Sequence, residues 1–211
     1  MNLCTCPAAA SLTSIPAAGC PESFGQIQKI AFQRLRKADG SKNSFTSTSS
    51  ILIKASWTAK MAASDATKIV ISPYIQAPSQ EAGSPRTFGG GNETLGGVEI
   101  IIGREPSTFT GVIRSVSQDV IKAMKQLQCE AQADNLGVFL IDENGAVEAI
   151  KDESVATTFY PIPIRSLFIG DKAHGGLEAP DSNAIQFSFL PNYSDNLSIQ
   201  VPTDFNPLTD L

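Results

Sequence analysis

Apolar and polar positions alternate along most of this chain with the period of a strand, and a helical period stands out in one place only. Within 25–36, Ile27, Ile30, Phe32 and Leu35 permit a strand or one short helix; Gln and Arg alternating with apolar residues before the Asp39-Gly40 turn favour a strand. Residues 41–50 (SKNSFTSTSS) read as a polar loop, because Ser and Thr compete for local backbone hydrogen bonds. Ala, Lys and Met over 55–63 suit a short helix that Ser64-Asp65 ends. A β-rich run, 68–74, leads into a long segment, 76–97, with Pro78, Pro85 and six glycines, which reads as a loop. A loop of that length in a compact domain points to function or partner contact. The stretch 97–103 (GVEIIIG) is so dense in Ile that it predicts a buried strand.

The helical period falls at 116–131, where Val116, Val120, Ala123 or Met124, Leu127 and Ala131 form one apolar stripe opposite Asp119, Lys122, Lys125 and Gln128. Ser115 and Gln118 have the spacing of a capping box at its start. Asn144-Gly145 between the apolar runs 136–141 and 146–150 predicts a hairpin. Pro161 and Pro163 make 159–169 a strand pair or an edge strand, since proline donates no ladder hydrogen bond. Residues 185–190 and 197–201 alternate with period two, and 202–211 reads as an extended arm. Strands not separated by regular helices exclude a βαβ fold. The expected fold is α+β, mainly β: an antiparallel β-sandwich or barrel with one amphipathic helix packed on it. The expected organisation is an N-terminal arm at 1–24, one β-rich domain at 25–201 with long loops at 41–50 and 76–97, and a C-terminal arm at 202–211.

Composition narrows the function. The 211 residues are 42% hydrophobic and 18% charged with a net charge of −5. A chain of this length buries about 70% of its unfolded surface, so its core needs no metal or disulfide. The acidic balance argues against wrapping nucleic acid through phosphate neutralisation. No apolar run approaches the ~18 residues of a membrane span. Small residues before Cys20 mimic a lipoprotein signal, but no Lys or Arg precedes Lys29 and Pro7 and Pro16 interrupt the segment, so the expectation is a cytosolic chain with reduced thiols. Cys4, Cys6, Cys20 and Cys129 lack the two close pairs of a zinc ribbon. Unligated thiols are favoured over a structural zinc or a disulfide.

Catalytic residue patterns are sparse. His174 is the single histidine, and its His-Gly-Gly context has no Gly-x-Ser-x-Gly partner, so a glycine-rich turn over 170–176 is the better account. Gly89-Gly90-Gly91 and Gly96-Gly97 are not followed by Gly-Lys-Ser/Thr, which favours a flexible loop over a phosphate cradle. Asp142, Glu143 and Asn144 lack the twelve-residue spacing of a calcium loop and read as a turn. Asp65, Asp181, Asp195, Asp204 and Asp210 sit in turn-like contexts, and the sequence singles out no pair for acid/base work. Trp57, Tyr74, Phe88, Tyr160, Phe168, Phe187, Phe189 and Tyr193 read as core or interface anchors. No catalytic, cofactor-binding or metal-binding residue is assigned, and no cofactor is expected.

Several strings nonetheless form a familiar set. They include Cys20-Pro21, Gly25-Gln26-Ile27-Gln28-Lys29, Phe32-Gln33-Arg34, Trp57-Thr58-Ala59, Asp65-Ala66-Thr67-Lys68 and Phe109-Thr110-Gly111. Leu127-Gln128-Cys129-Glu130, Gly170-Asp171-Lys172 with Gly175-Gly176, and Asp204-Phe205-Asn206-Pro207-Leu208 complete it. Spread over nearly the whole chain, these strings resemble virion structural proteins of crAss-like and related Bacteroides-infecting tailed phages, in particular ring-forming proteins of the head-to-tail connector or tail. The resemblance implies a non-enzymatic, homo-oligomeric ring, located in the virion, with a tail-tube-like β-sandwich or barrel. Its implied partners are further copies of the chain and adjacent ring, portal or tail proteins, with DNA only as passing cargo and no membrane. A tail-fibre adaptor or a capsid decoration module is the alternative. A ring needs a heterologous interface whose rotation closes. The expected reaching segments are 1–24, 42–50, 76–97 and 202–211.

Overall fold

The computed structural model describes residues 14–15 and 24–211. The expected arm at 1–24 falls almost wholly outside them, as do Cys4, Cys6 and Cys20. Strands β1 (Ile27–Arg34), β2 (Ile69–Ile71), β3 (Ile75–Glu81), β4 (Pro85–Phe88), β5 (Ile100–Arg104) and β6 (Thr108–Arg114) come first, with helix α1 (Lys54–Ala62) between β1 and β2. Helix α2 (Gln118–Gln132) follows, then β7 (Leu136–Asp142), β8 (Val147–Lys151), β9 (Phe159–Tyr160), β10 (Ile162–Ile169), β11 (Ser182–Phe189), β12 (Leu197–Gln200) and the short α3 (Pro207–Asp210). The fold is α+β and mainly antiparallel β, and its sheets do not close into a barrel.

Two sheets are joined through β10. One holds β2, β1, β7, β8 and β12, with β9 beside β8; the other runs β10-β11-β6-β3. Ile162 and Pro163 pair with β7, Ile164 and beyond pair with β11, and a bulge interrupts the ladder between Arg165 and Phe168. A bulge bends its strand, so β10 serves both sheets and Pro163 sits where the ladders change partner.

Central β7 is buried along its whole length. Leu136, Val138 and Leu140 join Ile30, Phe32, Phe109, Ile185 and Phe187 in one core, with Ile121, Met124 and Ala131 of α2. On the opposite face of the sheet, Phe139 and Ile141 meet Trp57 of α1, Phe45, and Phe205 and Leu208 near α3. A strand covered on both faces reads as a continuous apolar run, which is why LGVFLI does not alternate. By contrast β6 and β11 bury Phe109, Ile113, Ile185 and Phe187 and turn Thr110, Gln186 and Ser188 outward.

Several expectations change. Ser115 has φ 55° and lies outside α2, whose N-cap is Ser117 with no side-chain bond, so the capping box does not form. Ile121, absent from the expected stripe, is buried while Val120 is exposed, because the helix turns its 121-124-131 edge to the sheets. The loop at 41–50 is pinned by Phe45, fully buried and bridged to Phe159. The long loop at 76–97 instead contains β3 and β4. Segment 202–211 is no extended arm: Phe205 and Leu208 are buried, and the Asn206 side chain accepts from the Leu208 amide at 2.9 Å. The expected hairpin forms, with Gly145 at φ 81° and Asn206 packed so closely on it that any side chain there would collide, so the C-terminal segment packs on this turn.

Candidate functional site

The residue types singled out for chemistry are scattered by the fold. His174 is largely exposed and faces Asp181 at 3.2 Å, with Lys172 Nζ at 3.8 Å from the same carboxylate. Asp65, Asp39 and Asp152 close local turns: each accepts from a Ser or Thr two residues on, and these bonds lower their pKa values. Asp204 accepts from the Lys54 amide, and Asp210 from the Asn206 amide while pairing with Lys54. Asp142 is buried and accepts three backbone amides, from Gly25, Asn144 and Ala146, which makes it a structural anchor of the β7-β8 turn. On α2, Lys125 pairs with Asp171 and Cys129 is exposed. Among the described residues no three His, Cys, Asp or Glu cluster as metal ligands, and no helix is long and apolar enough to cross a membrane. Trp57, Phe187, Phe189 and Tyr193 are packing aromatics in stacked or edge-on pairs.

The feature that stands apart is β4-β5. Among the described residues these strands pair only with each other, and every residue of both is at least partly open to solvent. Their register places Phe88 opposite Ile100 and Thr87 opposite Ile101. Phe88, Ile100 and Ile102 are about half exposed, Ile101 is 61% exposed, Val98 67%, and Leu95 fully. The Ile-rich strand therefore forms as its pattern predicts, but it is not buried: the hydrophobic run has no cover among the described residues.

The hairpin is nevertheless built. Its base is tied to the body by Arg104, which donates to Asn192 Oδ1 at 2.7 Å, and is closed across its own two strands by the Glu105 amide, which donates to the Ser84 carbonyl at 2.8 Å. At its tip the Thr94 hydroxyl accepts from the Gly90 amide and donates to the Val98 carbonyl, and Gly97 N donates to the Thr94 carbonyl. Gly89 and Gly90 stand at φ 86° and 110°, a region open to glycine at little cost. The glycines read from sequence as a flexible loop thus shape a hydrogen-bonded tip. A two-stranded hairpin alone in water is marginal, and contiguous exposed apolar surface marks an interaction site.

Two surface clefts matter besides. One, of about 310 Å³, is lined by Phe24, Ile27, Phe109, Tyr193, Leu197 and Glu148. Burial in this apolar setting raises the Glu148 carboxyl to about 7. The other, of about 500 Å³, is lined by Lys29, Ile71, Pro73, Tyr74, Arg114 and Val116. Lys29 there lies 4.7 Å from the Tyr74 ring centre and donates to the Leu211 main-chain oxygen at 2.9 Å. Burial lowers its ammonium pKa.

No family model matches the chain, and neither does any curated protein. Three solved structures show partial likeness. A chain of the C6-symmetric tail of an empty GTA particle is 14% identical, with 60% of this chain and 82% of that chain covered and a TM-score of 0.33. A chain of the anti-feeding prophage baseplate is 8% identical, covering 92% of this chain and 100% of that one, also at 0.33. An Hcp protein is 12% identical over 77% and 88% of the two chains, at 0.24.

Proposed function

We propose that this protein is a structural subunit of a phage virion that acts by packing against copies of itself, forming a homo-oligomeric ring of the head-to-tail connector or tail through which DNA passes. The observation that carries the reading is the β4-β5 hairpin: an ordered ribbon with six large apolar side chains on the surface. A monomer that keeps such a ribbon pays for it in solubility unless another surface covers it. The strings that resemble phage ring proteins support the same reading. With a net charge of −5 per copy, an assembled ring repels DNA phosphates more than it holds them, which suits passage over capture.

Native mass spectrometry of the purified chain, together with localisation in intact particles, tests the reading. A closed ring of copies within the tail or connector supports it. A monomer or trimer on the capsid exterior instead identifies an adaptor or decoration module. A particle without the protein refutes a virion role.

A further inference from the structure

The hairpin and the Lys29-Arg114 cleft stand at opposite ends of one ribbon. Strand β3 runs from Ile75, paired with Ile113, to Glu81, paired with Thr108. The cleft gathers around the first end, through Tyr74, Arg114 and Val116. From the second end the chain continues directly into β4 and back from β5. Six residue steps at ~3.4 Å separate the ends by up to about 20 Å, so the base of the hairpin and the cleft lie at different ends of the same ribbon.

The two surfaces are complementary in charge and polarity. Residues 89–99 of the tip contain Glu93 and Glu99, no Lys or Arg, and the exposed Leu95 and Val98. The cleft sets two cations among Ile71, Pro73, Val116 and Leu211, with Ser72 and Gln76 beside them; among the described residues no Asp or Glu lines it, and neither Lys29 nor Arg114 pairs with an Asp or Glu. Lys29 is already held by the Leu211 oxygen and the Tyr74 ring, whereas the Arg114 side chain makes no hydrogen bond or ion pair among the described residues, so an incoming carboxylate would meet Arg114 first, with Lys29 adding its charge beside it.

The geometry points to a polar, head-to-tail contact in which the acidic, apolar tip of one copy's β4-β5 hairpin seats in the Lys29-Arg114 cleft of the next copy. The occupant is a second copy of this chain, and the contact rests on the self-assembly reading above while specifying which surfaces meet. Such a heterologous contact closes into a ring or repeats as a stack according to the rotation between copies.

Charge reversal on each side, read by sedimentation velocity over a concentration series of the full chain, tests this. Lys29 is left intact because it is packed into the fold; Arg114→Glu alters the cleft and Glu93→Lys with Glu99→Lys alters the tip. Each variant should keep the wild-type melting temperature and weaken association about tenfold or more. A chain carrying both sets, and a mixture of the two variants, should each regain assembly, since the basic tip then meets the carboxylate that Arg114→Glu introduces. Wild-type assembly with variants that assemble equally well, or a combined chain no better than its parents, overturns the docking assignment and leaves self-assembly standing. A wild-type chain that stays monomeric at its highest soluble concentration overturns both.

Discussion

Ile101→Thr is the substitution that best separates assembly from folding. Ile101 lies in β5 opposite Thr87, 61% exposed, and belongs to no buried cluster. Threonine is β-branched and keeps the strand preference, so the isolated subunit should change by less than about 0.5 kcal/mol, the usual range for surface positions. Full burial of an isoleucine is worth about 1.5–3 kcal/mol. With some three-fifths of this side chain left to cover, each intersubunit contact should lose about 1–2 kcal/mol, or roughly 5–30-fold in its dissociation constant. Sedimentation velocity reads the association and a urea melt of dilute protein reads the fold. An unchanged association constant, or a monomer that unfolds at clearly lower urea, would refute the idea that β5 is held in reserve for a partner.

Trp57→Ala should destabilise the subunit by about 3–5 kcal/mol in urea unfolding, because the indole is fully buried between Phe45 and Phe139 and its Nε1 donates to the Ile51 carbonyl at 2.8 Å. Asp142→Asn should cost about 1–3 kcal/mol in the same assay: the new amide cannot accept both from Gly25 and from the Asn144 and Ala146 amides, and at least one backbone donor loses its partner and faces an NH2 group instead. Glu148 predicts a pH dependence. Its carboxyl is raised from 4.5 to about 7, so between those values the folded state binds more protons than the unfolded one. Stability should therefore fall as pH rises through that window and level off above it. Because the group stays partly open to water, the loss should be about 1–2 kcal/mol. Thermal melts of Glu148→Gln should lose this slope, and a slope that persists in the variant assigns it to another group.

How much of this was legible beforehand differs by element. Period-two alternation marks β6 and β11 because one face of each meets the core and the other meets water. The Asn144-Gly145 turn marks the β7-β8 hairpin, and the amphipathic stripe marks α2, since turn chemistry and helical period are local properties. The candidate site was only half readable. Its strand was visible in Ile100, Ile101 and Ile102, but the same run predicts burial, because a sequence shows that apolar side chains need cover without showing which surface supplies it. Phe45 and Phe205 carried no periodic signal, sitting singly in polar segments that only the finished sheet draws in.

Local spacing, then, determined by itself that the chain is an antiparallel, mainly β protein with one long amphipathic helix. Tertiary structure alone decided that β10 passes from one sheet to the other, that the C-terminal segment folds back onto the β7-β8 turn, and that the Ile-rich hairpin stands uncovered among the described residues. It also brought Lys29 and Arg114, far apart in the chain, to one cleft at the opposite end of the β3-β6 ribbon from that hairpin. The physical reason is range: propensity and periodicity act over a few neighbouring residues, whereas burial and the meeting of charges depend on which distant strands pair.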